Sequence, residues 1–234
     1  MLFYQPQISA GVQYLDEEES RHAIKVLRLK ERDPITVIDG KGSFYESVIT
    51  EANSKKCKFN ILTTNRDCED KKHYIHLAIA PTKNPDRMEW FTEKSVEFGI
   101  DEITFLLCER SERKHFNSGR IEKKAISAMK QSLKATLPII NLPLSFAGFI
   151  EKYPLQKNKF IAYVDVDIPQ HLKAAAKPNE DYVVLIGPEG DFSPDEISMA
   201  QEHGFIPVHL GKSRLRTETA GIASCLILNL INNF

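Results

Sequence analysis

Apolar and polar positions change rhythm partway along the chain. Up to about residue 64 the apolar segments are short and broken by turn residues. Asp16 is placed to cap a short helix, with Glu19 at the third helical position of a capping-box-like start and Ala23, Val26 and Leu27 following at helical spacing. Pro34 to Asp39 then reads as a strand, Gly40-Lys41-Gly42 as a turn, and Phe44 to Thr50 and Lys58 to Thr63 as two further strands. Short strands joined by glycine-containing turns predict a small barrel. From Asn65 to Lys72, six of eight positions are charged. Linkers are polar because few contacts cross them, so the pattern predicts two domains, 1–70 and 73–234.

Beyond that boundary the apolar runs lengthen and alternate with helical periodicity. Tyr74 to Ala80 is nearly continuous, as expected of a strand buried on both faces. Met88, Phe91, Ser95 and Val96 predict a helix with Gly99 near its end, Ile103 to Cys108 the next strand, and Ile121, Ala125, Ala128, Met129 and Ser132 another helix. Phe160 to Val164, Val183 to Ile186 and Ile206 to Leu210 read as strands. Ser193-Pro194-Asp195-Glu196 is a strong helix start and His203-Gly204 its stop. Alternating strands and helices predict an α/β domain with a largely parallel sheet.

Composition narrows the class and misleads about the partner. With 42% hydrophobic and 27% charged residues in 234, disorder and collagen-like repeats are excluded. No stretch approaches the roughly 18 apolar residues of a membrane span, and no secretory leader pattern opens the chain, so a cytosolic protein without a membrane partner is expected. Cys57, Cys68, Cys108 and Cys225 are widely spaced, and an offset of three puts His73 and His76 on opposite faces of a strand. Reduced structural thiols and no metal are expected. The net charge of -1, from 31 basic and 32 acidic residues, argues at first against nucleic acid. Its distribution argues otherwise. Arg21, Lys25, Arg28, Lys30 and Arg32 stand against Glu31 alone, and eight basic residues between Arg110 and Lys134 stand against Glu112 and Glu122. Each cluster reads either as a phosphate-binding face or as a solvated helix face with salt bridges.

In open α/β sheets ligands bind outside the carboxyl ends of the strands, which directs attention to two loops. Leu185 to Ser193 carries Gly187, Pro188, Glu189 and Gly190, and reads either as a tight connection into the next helix or as a site. Leu210 to Ala220 carries Gly211, Arg214 and Arg216 and opens a long apolar helix. Thr217 and Glu218 there serve equally as a helix cap with a dipole-complementing neighbour or as functional groups. The chain lacks a Walker loop, a G-x-G-x-x-G fingerprint and a G-x-S-x-G elbow.

Leu185-Ile-Gly-Pro-Glu-Gly190, Leu210-Gly211 and Leu215-Arg-Thr-Glu-Thr-Ala220, with Lys94 to Gly99 and His22-x-x-x-Val26-Leu27-Arg28, resemble the RsmE family of 16S rRNA uridine-N3 methyltransferases, in the SPOUT superfamily. The resemblance spans the chain. It implies a PUA-like RNA-binding barrel followed by a SPOUT-type α/β domain whose chain forms a trefoil knot, a homodimer with its active site near the subunit interface, and S-adenosylmethionine as methyl donor. By position it implies a cofactor pocket of Ile186, Gly187, Pro188, Glu189, Gly190, Leu210, Gly211, Leu215, Arg216, Thr219 and Ala220. It implies RNA contacts from Arg21, Lys25, Arg28, Arg110, Arg113 and Gln131, the substrate being 16S rRNA in the small ribosomal subunit. Two positions depart from the family pattern: Asp191 stands where glycine is usual, and Lys130 to Lys134 replaces a common Glu-Gln-x-Gly-Arg, leaving only Gln131. The expected catalytic groups are Arg216, stabilising charge on the uracil ring, and Glu218, orienting that arginine. Two alternatives stand beside this one: ribose 2′-O methylation by another SPOUT enzyme, and a non-catalytic RNA-binding assembly factor.

Overall fold

A computed structural model describes residues 1–66, 71–112, 118–153, 158–164 and 170–233. Contacts divide the chain into a small unit, Met1–Asp70 with Ile126–Leu137, and a large unit, Lys71–Ala125 with Pro138–Phe234. The segment Ile126–Leu137, which the apolar pattern groups with the large domain, thus clusters with the small one.

The small unit is built on a four-stranded sheet in the order β1-β2-β3-β4. β1 (Leu2–Tyr4) runs parallel to β2 (Pro34–Ile38), and β3 (Ser43–Glu51) and β4 (Lys58–Arg66) continue antiparallel. The period-2 alternation appears directly in β3, where Ser43, Tyr45, Ser47 and Ile49 are buried and Glu46 and Thr50 exposed. Phe3, Leu15, Ile35, Val37, Ile49 and Phe59 form the core, each large apolar side chain contributing about 1.5–3 kcal/mol of transfer free energy.

Helix α1 (Glu17–Arg21) starts where expected, the Asp16 carboxylate accepting from the Glu19 amide at 2.8 Å, and runs into a π-helical turn at His22–Val26. The reciprocal half of a capping box is not made. Glu19 is buried and its carboxylate takes Lys130 Nζ at 2.5 Å instead. Burial raises the Glu19 pKa, with the Lys130 hydrogen bond and charge opposing it. Beyond the turn, Arg28 and Arg32 adopt left-handed backbone at φ 58° and 73°.

The large unit is a six-stranded sheet, parallel throughout, in the order β10-β8-β9-β5-β6-β7. Its strands are β5 (Tyr74–Ile79), β6 (Glu102–Leu107), β7 (Ile139–Ser145), β8 (Asn158–Ala162), β9 (Asp181–Ile186) and β10 (Ile206–Val208). The helices are α2 (Pro85–Phe98), α3 (Ser118–Gln131), whose end belongs to the small unit, α4 (Phe146–Lys152), α5 (Leu172–Ala175), α6 (Pro194–Glu202) and α7 (Thr217–Ile231). Ala78 and Ala80 face a cluster with Phe146, Phe149 and Ala200 of α4 and α6. Ile79, between them, points the other way towards α7. There Gly221 lets α7 approach so closely that a Cβ would lie 2.6 Å from the Phe91 ring and 2.8 Å from Ile79 Cδ1. α6 begins with the full capping box of Ser193 and Glu196, as its sequence predicts.

Periodicity misses β7, α4 and α5. Pro143 inside Ile-Ile-Asn-Leu-Pro-Leu-Ser argues against a strand, yet β7 is the last strand of the sheet, where a missing N–H is tolerated, and its pairing with β6 is irregular at that point. The histidines take opposite faces. His73 meets Asn229 of α7, whereas His76 packs on Phe149 and Tyr153 and contacts Thr104 through Nε2 at 2.8 Å. Around it Glu102 accepts from Tyr74, Tyr153 and Asn141. Cys57, Cys108 and Cys225 are buried, with Cys225 Sγ donating to the Ser95 carbonyl at 3.7 Å; Cys68 lies outside the described residues. Among the described residues no helix is long and apolar enough to cross a membrane, and no cluster of three or more His, Cys, Asp or Glu is arranged for a metal.

Candidate functional site

A parallel sheet gathers the carboxyl ends of its strands on one edge. In the large unit the segments leaving β8, β9 and β10 surround a cavity of about 990 Å³ there, at the upper end of the roughly 300–1,000 Å³ of small-molecule sites. Ala162 ends β8 and Tyr163 and Val164 follow it, and Ile186 ends β9 and Gly187 to Glu189 with Asp191 follow it. His209 to Arg216 link β10 to α7, Thr217 and Ala220 open that helix, and Arg87 reaches in from the first turn of α2.

Side chains tie these segments together. Thr217 Oγ1 donates to the Gly187 carbonyl at 3.1 Å. The position before it, Arg216, is the N-cap, with no side-chain capping bond. The cap reading of Thr217 is therefore overturned: its hydroxyl joins two loops. The Glu189 carboxylate accepts from the Lys83 amide at 3.1 Å, and its carbonyl accepts from Arg214 Nη2 at 3.3 Å. Asp191 takes left-handed backbone at φ 62°, and Oδ2 accepts from the Val164 amide at 3.2 Å. It accommodates the conformation that favours glycine while holding the wall after β8. Gly211 has φ 129°, where a side chain is strained, with no atom within 4 Å of the position a Cβ would take.

Of the pocket residues expected from sequence, Ile186, Gly187, Pro188, Glu189, Leu210, Gly211, Leu215, Arg216 and Ala220 line the cavity. Gly190 and Thr219 do not. Arg216 is exposed, and its guanidinium makes no hydrogen bond or ion pair among the described residues. Glu218 makes no ion pair with it among the described residues. It is buried, with Oε1 3.6 Å from Arg87 Nε and Oε2 without a hydrogen-bond partner. The expectation that Glu218 orients Arg216 is corrected: the helical turn aims the carboxylate into the protein towards α2 while the N-cap side chain stays outside.

Several basic residues after β6 are engaged within the protein. Arg110 Nη1 donates to the Gly190 and Phe192 carbonyls at 3.1 and 3.3 Å, which makes it a tie of the β9 loop. Arg120 pairs with Glu89 at 2.6 Å and Lys124 with Glu93 at 3.2 Å; Arg113 lies outside the described residues. In the small unit, Arg21, Lys25 and Arg28 are exposed without ion pairs among the described residues, and Gln131 is also exposed. Arg87, the wall at Tyr163 and Val164, and His209 escape sequence reasoning. The rule that ligands sit at strand carboxyl ends points to two of these three segments, whereas Arg87 carries no local signal.

Residues 69–229 match the family model of the RNA methyltransferase domain, and residues 15–62 that of the RNA methyltransferase PUA domain. The ribosomal RNA small subunit methyltransferase E of Mesomycoplasma hyopneumoniae is 30% identical over 210 residues, 85% of this chain and 86% of its own. The crystal structure of a probable rRNA-methyltransferase from Porphyromonas gingivalis is 41% identical and superposes with a TM-score of 0.93, covering 99% of this chain and 98% of that one. Ribosomal RNA small subunit methyltransferase E from Neisseria gonorrhoeae, bound to S-adenosyl methionine, is 27% identical with a TM-score of 0.83, covering 99% and 97%. With a domain model matched over most of its length and a sheet whose loops enclose a cavity, the chain belongs to the RNA methyltransferase family, in the group of ribosomal RNA small subunit methyltransferase E.

Proposed function

We propose that the protein transfers a methyl group from S-adenosylmethionine to N3 of a specific uridine in 16S rRNA, acting on the small ribosomal subunit. The observation that carries this reading is the cavity itself, where glycine-bearing loops, an apolar wall and the free guanidinium of Arg216 meet at the carboxyl edge of a parallel sheet. The residues present fit the cofactor. Ile186, Leu210, Leu215 and Ala220 supply apolar surface for a purine face, and the backbone of Gly187 to Gly190 and Leu210-Gly211 supplies polar groups for its edge, with Thr219 on the adjoining turn of α7. The open space at Gly211 supports the same placement. When bound, S-adenosylmethionine supplies an electrophilic methyl on a sulfonium, which passes to the N3 lone pair as the carbon–sulfur bond breaks and its electrons stay on sulfur.

The protein's part is to position that nitrogen and to make it nucleophilic. Uridine N3 loses its proton to water before it attacks, and the ring then carries a negative charge. Arg216, which lines the cavity without an ion pair among the described residues, is the cation that stabilises it. Thr217 keeps the two loops in register through Gly187. Arg21, Lys25 and Arg28 bind RNA phosphates from the small unit, with Gln131 as a further contact, and Arg113 remains a contact expected from sequence alone. Arg110 ties the pocket loop and, being exposed, also meets the RNA.

The wider architecture follows the same reading. Residues 1–70 are a PUA-like barrel and 73–234 a SPOUT methyltransferase domain. The domain carries a trefoil knot, supported by the passage of the chain from β9 past β8 to β10 and back through α7 to the β5 side. The protein works in the cytoplasm as a homodimer.

Nucleoside mass spectrometry of small-subunit rRNA from a strain lacking the protein, before and after incubation with the enzyme and S-adenosylmethionine, tests the activity. N3-methyluridine is expected only after incubation. A ribose-methylated product would move the protein to another SPOUT activity, and no product together with no cofactor binding in calorimetry would make it an assembly factor. Arg216→Ala is expected to abolish methylation while largely preserving cofactor affinity; unchanged turnover would remove the arginine from the chemistry.

A further inference from the structure

Arg87 differs from the other cations of the cavity in how it is held. It sits in the first turn of α2 and lines the cavity beside the segment that carries Arg216. Its Nε lies 3.6 Å from Glu218 Oε1. That carboxylate is buried, and its second oxygen has no partner. Taking a carboxylate out of water costs several kcal/mol unless a cation compensates it, so Glu218 and Arg87 constrain each other. A guanidinium is a rigid planar fork. With Nε the nitrogen nearest Glu218, its terminal nitrogens make no hydrogen bond among the described residues.

We propose that Arg87 is a second catalytic residue, forming with Arg216 a two-cation clamp on the anionic uracil ring, and that Glu218 is the positioning residue that fixes its fork. This inference rests on the uridine-N3 reading given above. Once the N3 proton has gone to water, the negative charge spreads over N3 and its two flanking carbonyl oxygens, O2 and O4. N3 must stay uncovered to receive the methyl group. Stabilising cations therefore have to address the two oxygens separately, and guanidinium groups carried by two different elements, α2 and the N-cap of α7, meet that requirement. A ribose hydroxyl, with one oxygen to activate, gives no use for a second cation. The buried carboxylate is explained at the same time, since it holds the Arg87 fork against the pull of solvent.

The test compares Arg87→Met, Arg87→Lys and Glu218→Gln in the full-length protein on small-subunit rRNA carrying uridine or 5-fluorouridine, whose fluorine makes N3 more acidic. On uridine, Arg87→Met is expected to slow single-turnover methylation about 100-fold, the magnitude typical of removing one stabilising donor, with cofactor affinity in calorimetry little changed. On 5-fluorouridine most of that loss is recovered, and the rising limb of the pH–rate profile on uridine moves to higher pH. Arg87→Lys and Glu218→Gln shift in the same direction by less, and they keep the test open if Arg87→Met does not fold. Without cofactor, the fluorine resonance of bound 5-fluorouridine is expected to titrate at lower pH on the wild-type protein than on Arg87→Met. An unchanged rate, or a loss that is equal on both bases with an unmoved pH profile, would overturn the clamp. Wild-type protein that produces no N3-methyluridine would overturn the underlying reading instead.

Discussion

His76 gives the large unit a pH-dependent stability whose size follows from its surroundings. The ring is buried between β5, β6 and α4, against Phe149 and Tyr153, with Nε2 on Thr104 and Nδ1 3.5 Å from Glu102. Burial lowers its pKa from 6.5 to about 4; Glu102 opposes the shift and Lys152 adds to it. The folded protein therefore keeps His76 neutral where the unfolded chain already binds a proton. Stability is complete above the unfolded pKa and is lost as pH falls from about 6.5 to about 4. The loss is about 2 kcal/mol at pH 5 and levels off near 3 kcal/mol once both states are protonated. Glu19 in the small unit, whose pKa is raised, contributes with the opposite sign, so wild type must be compared with a variant. His76→Gln can keep a polar contact with Thr104 and cannot titrate. Urea unfolding followed by the fluorescence of Trp90, on α2 and the only tryptophan, reads the large unit selectively. The variant is expected to start less stable at pH 8 and to lose about 2 kcal/mol less than wild type between pH 8 and pH 5. Equal losses in the two proteins would show that His76 does not carry the dependence.

Three substitutions probe the joints of the site. Gly221→Ala places a Cβ 2.6 Å from the Phe91 ring, and overpacking of this kind costs about 1–3 kcal/mol, read as a lower urea midpoint. Gly211→Ala meets no atom but strains the backbone at φ 129°. It is expected to weaken S-adenosylmethionine binding in calorimetry and to lower the urea midpoint by a strain of about 1 kcal/mol; unaltered affinity would remove Gly211 from the cofactor site. Thr217→Val keeps the shape but leaves the Gly187 carbonyl without its donor, a loss of about 1–3 kcal/mol. A variant as stable as wild type would show that the two loops are held by other contacts.

Much of this protein is legible in its one-dimensional pattern, because the signals are local. Alternation in β3, the apolar run of β5, the Ser193 to Glu196 helix start and the two glycine loops each depend on residues within a few positions of one another. β7 is not legible, since the tolerance of Pro143 depends on an edge position that only the assembled sheet defines. Charge shows the same division. The excess of basic residues between Arg110 and Lys134 is plain in the sequence, but the partners of Arg120, Lys124, Lys130 and Arg110, namely Glu89 and Glu93 on α2, Glu19 on α1 and the carbonyls of Gly190 and Phe192, lie 31 to 111 positions away. Among the described residues the folded chain uses Arg110, Arg120, Lys124 and Lys130 of that stretch for internal ties, and it leaves Arg21 and Arg28 of the small unit exposed.

The sequence by itself therefore determined the class of fold, the loops that carry the site and the family to which the chain belongs. Tertiary structure decided which neighbour each charged group has. Glu218 stands two residues from Arg216 in the chain, yet a helix beginning at Thr217 turns it inward to Arg87, more than a hundred residues away. Electrostatic pairing depends on distance through space, and only packing of α2 against α7 sets that distance.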